Sequence, residues 1–149
     1  MKKIICIPVY NESHRLDLLI DRLNNSKLKK EEIIFVNDGS NDGSDEIIKK
    51  NNYSMINVKY NMGVGHSLIK GIEYAKKNNF DLFGVLSSNG KMLPNEIYRL
   101  LNPIIENKYD FINGSRFINN QIKLTTPLFR RFMIRIISKI ISLLIDKKI

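Results

Sequence analysis

The chain reads as an α/β protein with a mostly parallel sheet and helices on both faces, and two observations predict this. The segments IICIPVYNE (residues 4–12) and IIFVNDGSNDGS (residues 33–44) each run from isoleucine and valine straight into polar turn formers. That is the pattern of buried parallel strands delivering their C-terminal ends to a site. Strand-like and helix-like periodicities also alternate along the chain, which implies right-handed βαβ units.

The elements follow in order. Residues 3–9 predict the first strand. Leu16, Leu19, Ile20 and Leu23 recur at helical spacing, so residues 13–25 predict an amphipathic helix. Residues 33–36 are a second buried strand, and a short helix through Ile47 and Ile48 starts at Ser44, a favourable N-cap. Residues 54–60 are a weaker third strand. Asn61, Gly63 and Gly65 punctuate a loop before a helix whose apolar positions are Leu68, Ile69, Ile72 and Ala75. Residues 80–86 predict a fourth strand, followed by the loop SSNGKMLP. Pro94 then suits the first turn of a helix with Ile97, Leu100, Leu101, Ile104 and Ile105 on one face. Residues 110–113 predict a fifth strand, ending in GSRF. The expected organisation is a core over residues 1–127 and a basic amphipathic helix over 128–149, packing or interfacial, in the same domain.

At 149 residues, 43% hydrophobic and 26% charged, the chain suits one soluble globular domain. Its single cysteine, Cys6, lies in the first apolar run and has no partner within the chain, which fits an inert thiol in a reducing cytoplasm. The first apolar run is too short for a signal peptide, and no stretch reaches the ~18 apolar residues of a membrane span. The net charge is +9, and from Gln121 onward seven Lys/Arg face one acid. These basic residues alternate with isoleucine and leucine rather than with glycine or aromatics. The pattern favours a phospholipid surface or polyanionic ligand on the cytoplasmic membrane face over nucleic acid. Arg130, Arg131, Arg135 and Lys139 follow Pro127 along one side of the last helix, whose apolar arc exceeds half the circumference. That arc fits either a membrane interface or packing under further protein, such as a dimer or a C-terminal partner.

The strand tips carry Tyr10, Asn11, Glu12, Asn37 and Asp38. In open α/β sheets ligands bind outside those tips. A carboxylate fixed at a strand end suits N–H or hydroxyl groups, and an aromatic edge beside it can pack on a base. The plainer alternative is that Asp38-Gly39 and Asp42-Gly43 only form turns. Gly63 and Gly65 either let backbone approach a ligand or simply open the next helix. His14 and His66 have no partners at metal-ligand or triad spacing.

Together, PVYNE (8–12), VNDGSNDGS (36–44), NMGVGHSLIKGIEYA (61–75), GVLSSNGKMLPNEI (84–97) and YDFINGSRF (109–117) resemble, in order and spacing, the family 2 glycosyltransferases of the Rossmann-like GT-A fold. GSRF followed by PLFRR is most similar to the branch of dolichol- and polyprenyl-phosphate sugar transferases. The resemblance implies a nucleotide-diphosphate sugar held by the strand tips, with Pro8, Tyr10 and Glu12 lining the base and ribose pocket. Asp38 would accept from base or ribose. Arg116 would hold phosphate, as would Arg130 or Arg131 unless these are a solvated helix edge. It implies transfer of the sugar to a polyprenyl phosphate or a surface-glycan precursor.

Two departures from the family stand out. Where the resemblance implies a D-x-D motif holding Mg²⁺ or Mn²⁺, this chain has Ser87, Ser88 and Asn89, followed by Gly90 and Lys91. Asn89 takes a metal-ligand position with a neutral oxygen, which binds a divalent cation far less well than a carboxylate. Lys91 either replaces part of the metal's charge against the diphosphate or is a solvated loop lysine. The chain also stops near where related enzymes continue into an acceptor-side loop that often carries the catalytic base. The resemblance implies an inverting sugar transferase, and the departures leave its base unassigned. The alternative is an inactive nucleotide-sugar-binding module, or a truncated fragment of such an enzyme.

Overall fold

The computed structural model describes residues 1–114 and 128–145. The chain divides into two compact units, Met1–Ile112 and Asn113–Ile149.

In the first unit, β1 (Lys3–Val9), β2 (Ile33–Asp38), β3 (Ser54–Val58) and β4 (Leu82–Val85) form a parallel sheet in the order β3-β2-β1-β4. β1 and β2 are central, and all six residues of β2 are buried. This is why both read as continuous apolar runs rather than as alternating strands. Side chains alternate between faces. Ile5, Ile7 and Val9 join Leu16, Leu19, Ile20 and Leu23 of α1 (Ser13–Asn24), Ile48 of α2 (Ser44–Lys50), and Ile97 and Leu101 of α4 (Ile97–Ile105). Ile4, Cys6, Ile34 and Val36 point the other way, onto α3 (Val64–Lys77). Burial pushes the Cys6 thiol up to about 12, so it remains protonated and unreactive.

The helix α3 turns a different face to the sheet than its isoleucines suggest. Ser67, Gly71 and Ala75 are buried, whereas Ile69 and Ile72 are exposed. The spacing of four is helical, but the side chains are small because the sheet lies so close. A Cβ on Gly71 would fall 2.6 Å from Cys6 Sγ and 3.1 Å from Phe83 Cζ.

The expected strand over residues 110–113 is not formed, and Phe111 is 82% exposed. The handedness of crossovers disfavours a parallel strand there. The connections β1-α1-β2 and β2-α2-β3 run to one side of β1 with their helices on one face, and α3 returns on the other face to place β4 beyond β1. α4 lies on the face of α1 and α2, so a parallel strand reached through it at the free edge of β4 would need a left-handed crossover. In the second unit α5 (Leu128–Ile145) is an 18-residue helix within the expected 128–149, of which 146–149 lie outside the described residues.

Candidate functional site

The strand order reverses between β1 and β4, the topological switch point of such a sheet. A cavity of about 290 Å³ opens at the C-terminal strand ends there. Pro8, Val9, Tyr10 and Glu12 line it from β1 and the loop after it, Asp38 from the end of β2, and Ser87 and Ser88 from the loop after β4. Asn61, Gly63, Val64 and Ser67 complete it from the start of α3. The structure thus brings together Pro8, Tyr10, Glu12, Asp38, Gly63 and Ser87 from the residues singled out in the sequence. Asn89 and Lys91 follow the cavity wall without lining it. Arg116 and the side chains of Arg130 and Arg131 lie outside the described residues.

Asp38 is 3% exposed and already has protein partners. Its Oδ1 accepts the Met62 N–H at 3.1 Å and its Oδ2 accepts the Gly63 N–H at 2.8 Å. It therefore fixes the loop that leads into α3. A carboxylate offers about four lone-pair sites, so two protein donors leave it capacity for a ligand. Gly39, next to it, has φ +74°, and a Cβ there would meet Tyr60 C at 2.7 Å and Asn61 N at 2.8 Å. The Asp38-Gly39 pair is thus more than a turn former: its two residues hold the same loop, one by hydrogen bonds and one by close approach.

The rest of NDGSNDGS clamps the tip of β1. The Asn11 N–H donates to Ser40 Oγ at 3.1 Å while Asn11 Oδ1 accepts the Asn41 N–H at 3.0 Å. The Glu12 N–H donates to Ser44 Oγ at 3.1 Å, and the Ser13 N–H to Asp42 Oδ2 at 2.8 Å. The Ser44 hydroxyl and N–H both donate to Asp42 Oδ1. Desolvation raises the Asp42 pKa, but the hydrogen bonds from Ser44 and Ser13 outweigh it and hold the carboxyl at about 2. Asp42 thus remains a charged acceptor throughout the neutral range. Glu12 Oε2 pairs with Arg15 at 3.2 Å, and Tyr10, 46% exposed, stands at the cavity mouth.

The loop after β4 offers a divalent cation no carboxylate. Its oxygens are neutral, and they are engaged locally: Asn89 Oδ1 accepts the Lys91 N–H at 3.0 Å, and Ser87 Oγ faces the Asn89 N–H at 3.5 Å. Among the described residues no group of three or more His, Cys, Asp or Glu is placed to hold a metal ion. Hard cations require oxygen donors, preferably charged ones. Arg22 of α1 donates to the Gly90 carbonyl and so ties this loop to the helix. The Lys91 side chain is exposed, with no carboxylate against it among the described residues.

Sequence reasoning missed Ser40, Asp42 and Ser44 as clamps, Arg22 as an anchor, and Ser67 as a cavity residue. For the first three, the doubled DGS spacing marks turns but does not separate a clamp between loops from a bend within one. The spacing of Ser67, Gly71 and Ala75 carries it for Ser67. For Arg22 the pattern of α1 gives only an exposed helix position.

Comparisons with known proteins agree with this geometry. The profile of glycosyl transferase family 2 matches residues 4–148. A UDP-N-acetylglucosamine–dolichyl-phosphate N-acetylglucosaminyltransferase of Methanococcus voltae is 28% identical, with 85% of this chain and 57% of that protein covered. An undecaprenyl-phosphate 4-deoxy-4-formamido-L-arabinose transferase of Photorhabdus laumondii is 33% identical, over 95% of this chain and 44% of that protein. The chain therefore spans about half the length of the curated relatives it matches. A mannosyltransferase of Pyrobaculum calidifontis, solved in complex with GDP-Man and Mn²⁺, shares the fold at a TM-score of 0.52 and 13% identity, over 59% of this chain and 27% of that one. With the family profile running almost end to end over a parallel sheet whose switch-point cavity carries the matching strand tips, the chain belongs to glycosyl transferase family 2.

Proposed function

We propose that this chain binds a nucleotide-diphosphate sugar and serves transfer of the sugar to a polyprenyl phosphate. The observation that carries the reading is the cavity itself. Among the described residues, two carboxylates, a proline and a tyrosine line it, with no lysine or arginine. Such a lining suits a neutral nucleoside, whose N–H and hydroxyl groups donate to carboxylates, and it repels a diphosphate. The diphosphate then lies outside the cavity, on the side of the loop 87–91. In the reaction an acceptor phosphate oxygen attacks the anomeric carbon, the bond to the diphosphate oxygen breaks, and the electron pair leaves on the nucleoside diphosphate. The protein's contribution is to hold the two reactants in line and to oppose charge on the leaving group.

Lys91 is assigned the latter role, as a point charge where carboxylates and a metal are expected. Titration of the chain with UDP- and GDP-sugars should show binding that survives EDTA. Lys91→Ala should weaken a nucleotide sugar about tenfold, as one lost charge-assisted contact does, and leave the free nucleoside unaffected. Binding restored only by Mn²⁺, or an unchanged Lys91→Ala, would remove the lysine from this role. Binding without turnover, with polyprenyl phosphate supplied, would favour the inactive module.

The acceptor side is assigned to a membrane surface. Among the described residues no helix is long and apolar enough to cross a membrane. In α5, however, Phe129, Phe132, Ile137, Ile140, Leu143 and Leu144 are all exposed, and Arg135 and Lys139 are exposed as well. A broad apolar face edged by cations suits an anionic lipid interface. The chain should co-sediment with vesicles containing phosphatidylglycerol but not with pure phosphatidylcholine, and Phe132→Asp with Leu143→Asp should abolish this. Equal sedimentation with both vesicle types would reject the electrostatic part of the assignment.

A further inference from the structure

Ser67 is 0% exposed, and its Oγ is the one buried side-chain polar atom among the described residues without a hydrogen-bond partner. A serine inside a helix ordinarily bonds the carbonyl four residues back. Here the Gly63 carbonyl takes the Ser67 backbone N–H at 3.2 Å, and the hydroxyl makes no such bond. A buried hydroxyl left unpaired is costly, so such a group in a native protein calls for a partner. Ser67 lines the cavity at the strand ends, and a molecule entering that cavity is the partner at hand.

We propose that the Ser67 hydroxyl reads the nucleobase of the sugar donor and sets the base preference of this chain. The inference rests on the nucleotide-sugar reading of the cavity and extends it to one residue. A nucleotide sugar is linear, with the base at one end and the sugar at the other. The anionic diphosphate is kept out of an interior that holds Glu12 and Asp38, and the sugar must remain accessible to an acceptor. The base is therefore the end that enters deepest. Val9, Asp38 and Ser67 are the inner residues, at 1%, 3% and 0% exposure, whereas Tyr10 and Val64, at 46% and 63%, mark the mouth. Val9 and Pro8 supply apolar wall against a planar ring, and Ser67 supplies a group that both donates and accepts toward its edge. A site built to hydrogen-bond one ligand discriminates against another that leaves its buried polar group unpaired.

The test is calorimetric titration of the whole chain with UDP, GDP, CDP and ADP, repeated on Ser67→Ala and on Ser67→Cys, which keeps the shape at a somewhat larger volume and weakens the hydrogen bond. The expected result is a preferred base in the wild-type protein. Its Kd should rise about tenfold in both variants, while the disfavoured bases bind as before, so the preference collapses. Unchanged ratios among the four diphosphates in the variants would overturn the inference and leave the nucleotide site standing. A wild-type protein that binds all four equally would do the same. No binding of any of them by the wild-type protein would overturn the nucleotide-sugar reading, and this inference with it. Thermal denaturation of both variants confirms that they are folded.

Discussion

Replacing Asp38 by asparagine should cost roughly 2–3 kcal/mol of stability, because it exchanges one charge-assisted hydrogen bond for a clash between two donors. The carboxylate accepts from two successive backbone N–H groups, those of Met62 and Gly63, one on each oxygen. An asparagine can turn its oxygen to only one of them. Its amide then points N–H groups at the other, at a position 3% exposed where water does not readily substitute. The loop carrying Asn61 and Gly63 is released, and with it part of the wall that holds the ligand. Nucleoside binding should fall by more than about tenfold, a loss of at least one such contact. Urea denaturation and calorimetric titration of Asp38→Asn measure the two effects separately. Wild-type stability together with weakened binding would mean that the carboxylate serves the ligand alone and the loop is held by something else.

The legible part of this chain was the part governed by local pattern. β1 occupies the residues its pattern predicts and α5 lies within its own, because each is set by a continuous signal: a buried apolar run in one, an uninterrupted helical repeat in the other. That the tips of β1 and β2 meet at one cavity was legible because buried strands have few reasons to end in Tyr10, Glu12 and Asp38 except to present them. What was not legible depends on three-dimensional proximity. The inward face of α3 is set by how closely it approaches Cys6 and Phe83, and no pattern within residues 64–77 reports that distance. The missing strand over residues 110–113 has a similar origin. YDFIN has adequate β propensity, but the position of α4 on the sheet disfavours a parallel strand at the free edge of β4. The roles of Asp42, Ser44 and Ser40 were hidden for the opposite reason. Their residue types are so common in turns that the sequence gives no ground to prefer a clamp between two loops over a bend within one.

Gly39→Ala should be the more damaging of the two glycine substitutions in the NDGSNDGS segment, and its comparison with Gly43→Ala isolates the cause. Both residues have positive φ, +74° and +85°, so each alanine carries the left-handed penalty of about 1–2 kcal/mol. Around Gly43 the nearest atom to a new Cβ is Glu46 Oε2 at 4.0 Å, the end of a flexible side chain. Around Gly39 the neighbours are backbone atoms of Tyr60 and Asn61 at 2.7 and 2.8 Å, which cannot move without displacing the loop. Gly39→Ala should therefore cost roughly 3 kcal/mol or more, in the range where a named steric cause is expected, and should weaken nucleoside binding. Gly43→Ala should stay near the conformational penalty and bind normally. Equal losses in the two variants would mean that backbone conformation alone decides and that the approach of Tyr60 is incidental. The double variant sharpens the argument. Asp38→Asn releases the same loop that the Gly39 Cβ would push, so Asp38→Asn with Gly39→Ala should lose less than the sum of the two, by about 0.5–3 kcal/mol of coupling. Asp38→Asn with Gly43→Ala should add simply, since Gly43 does not touch that loop.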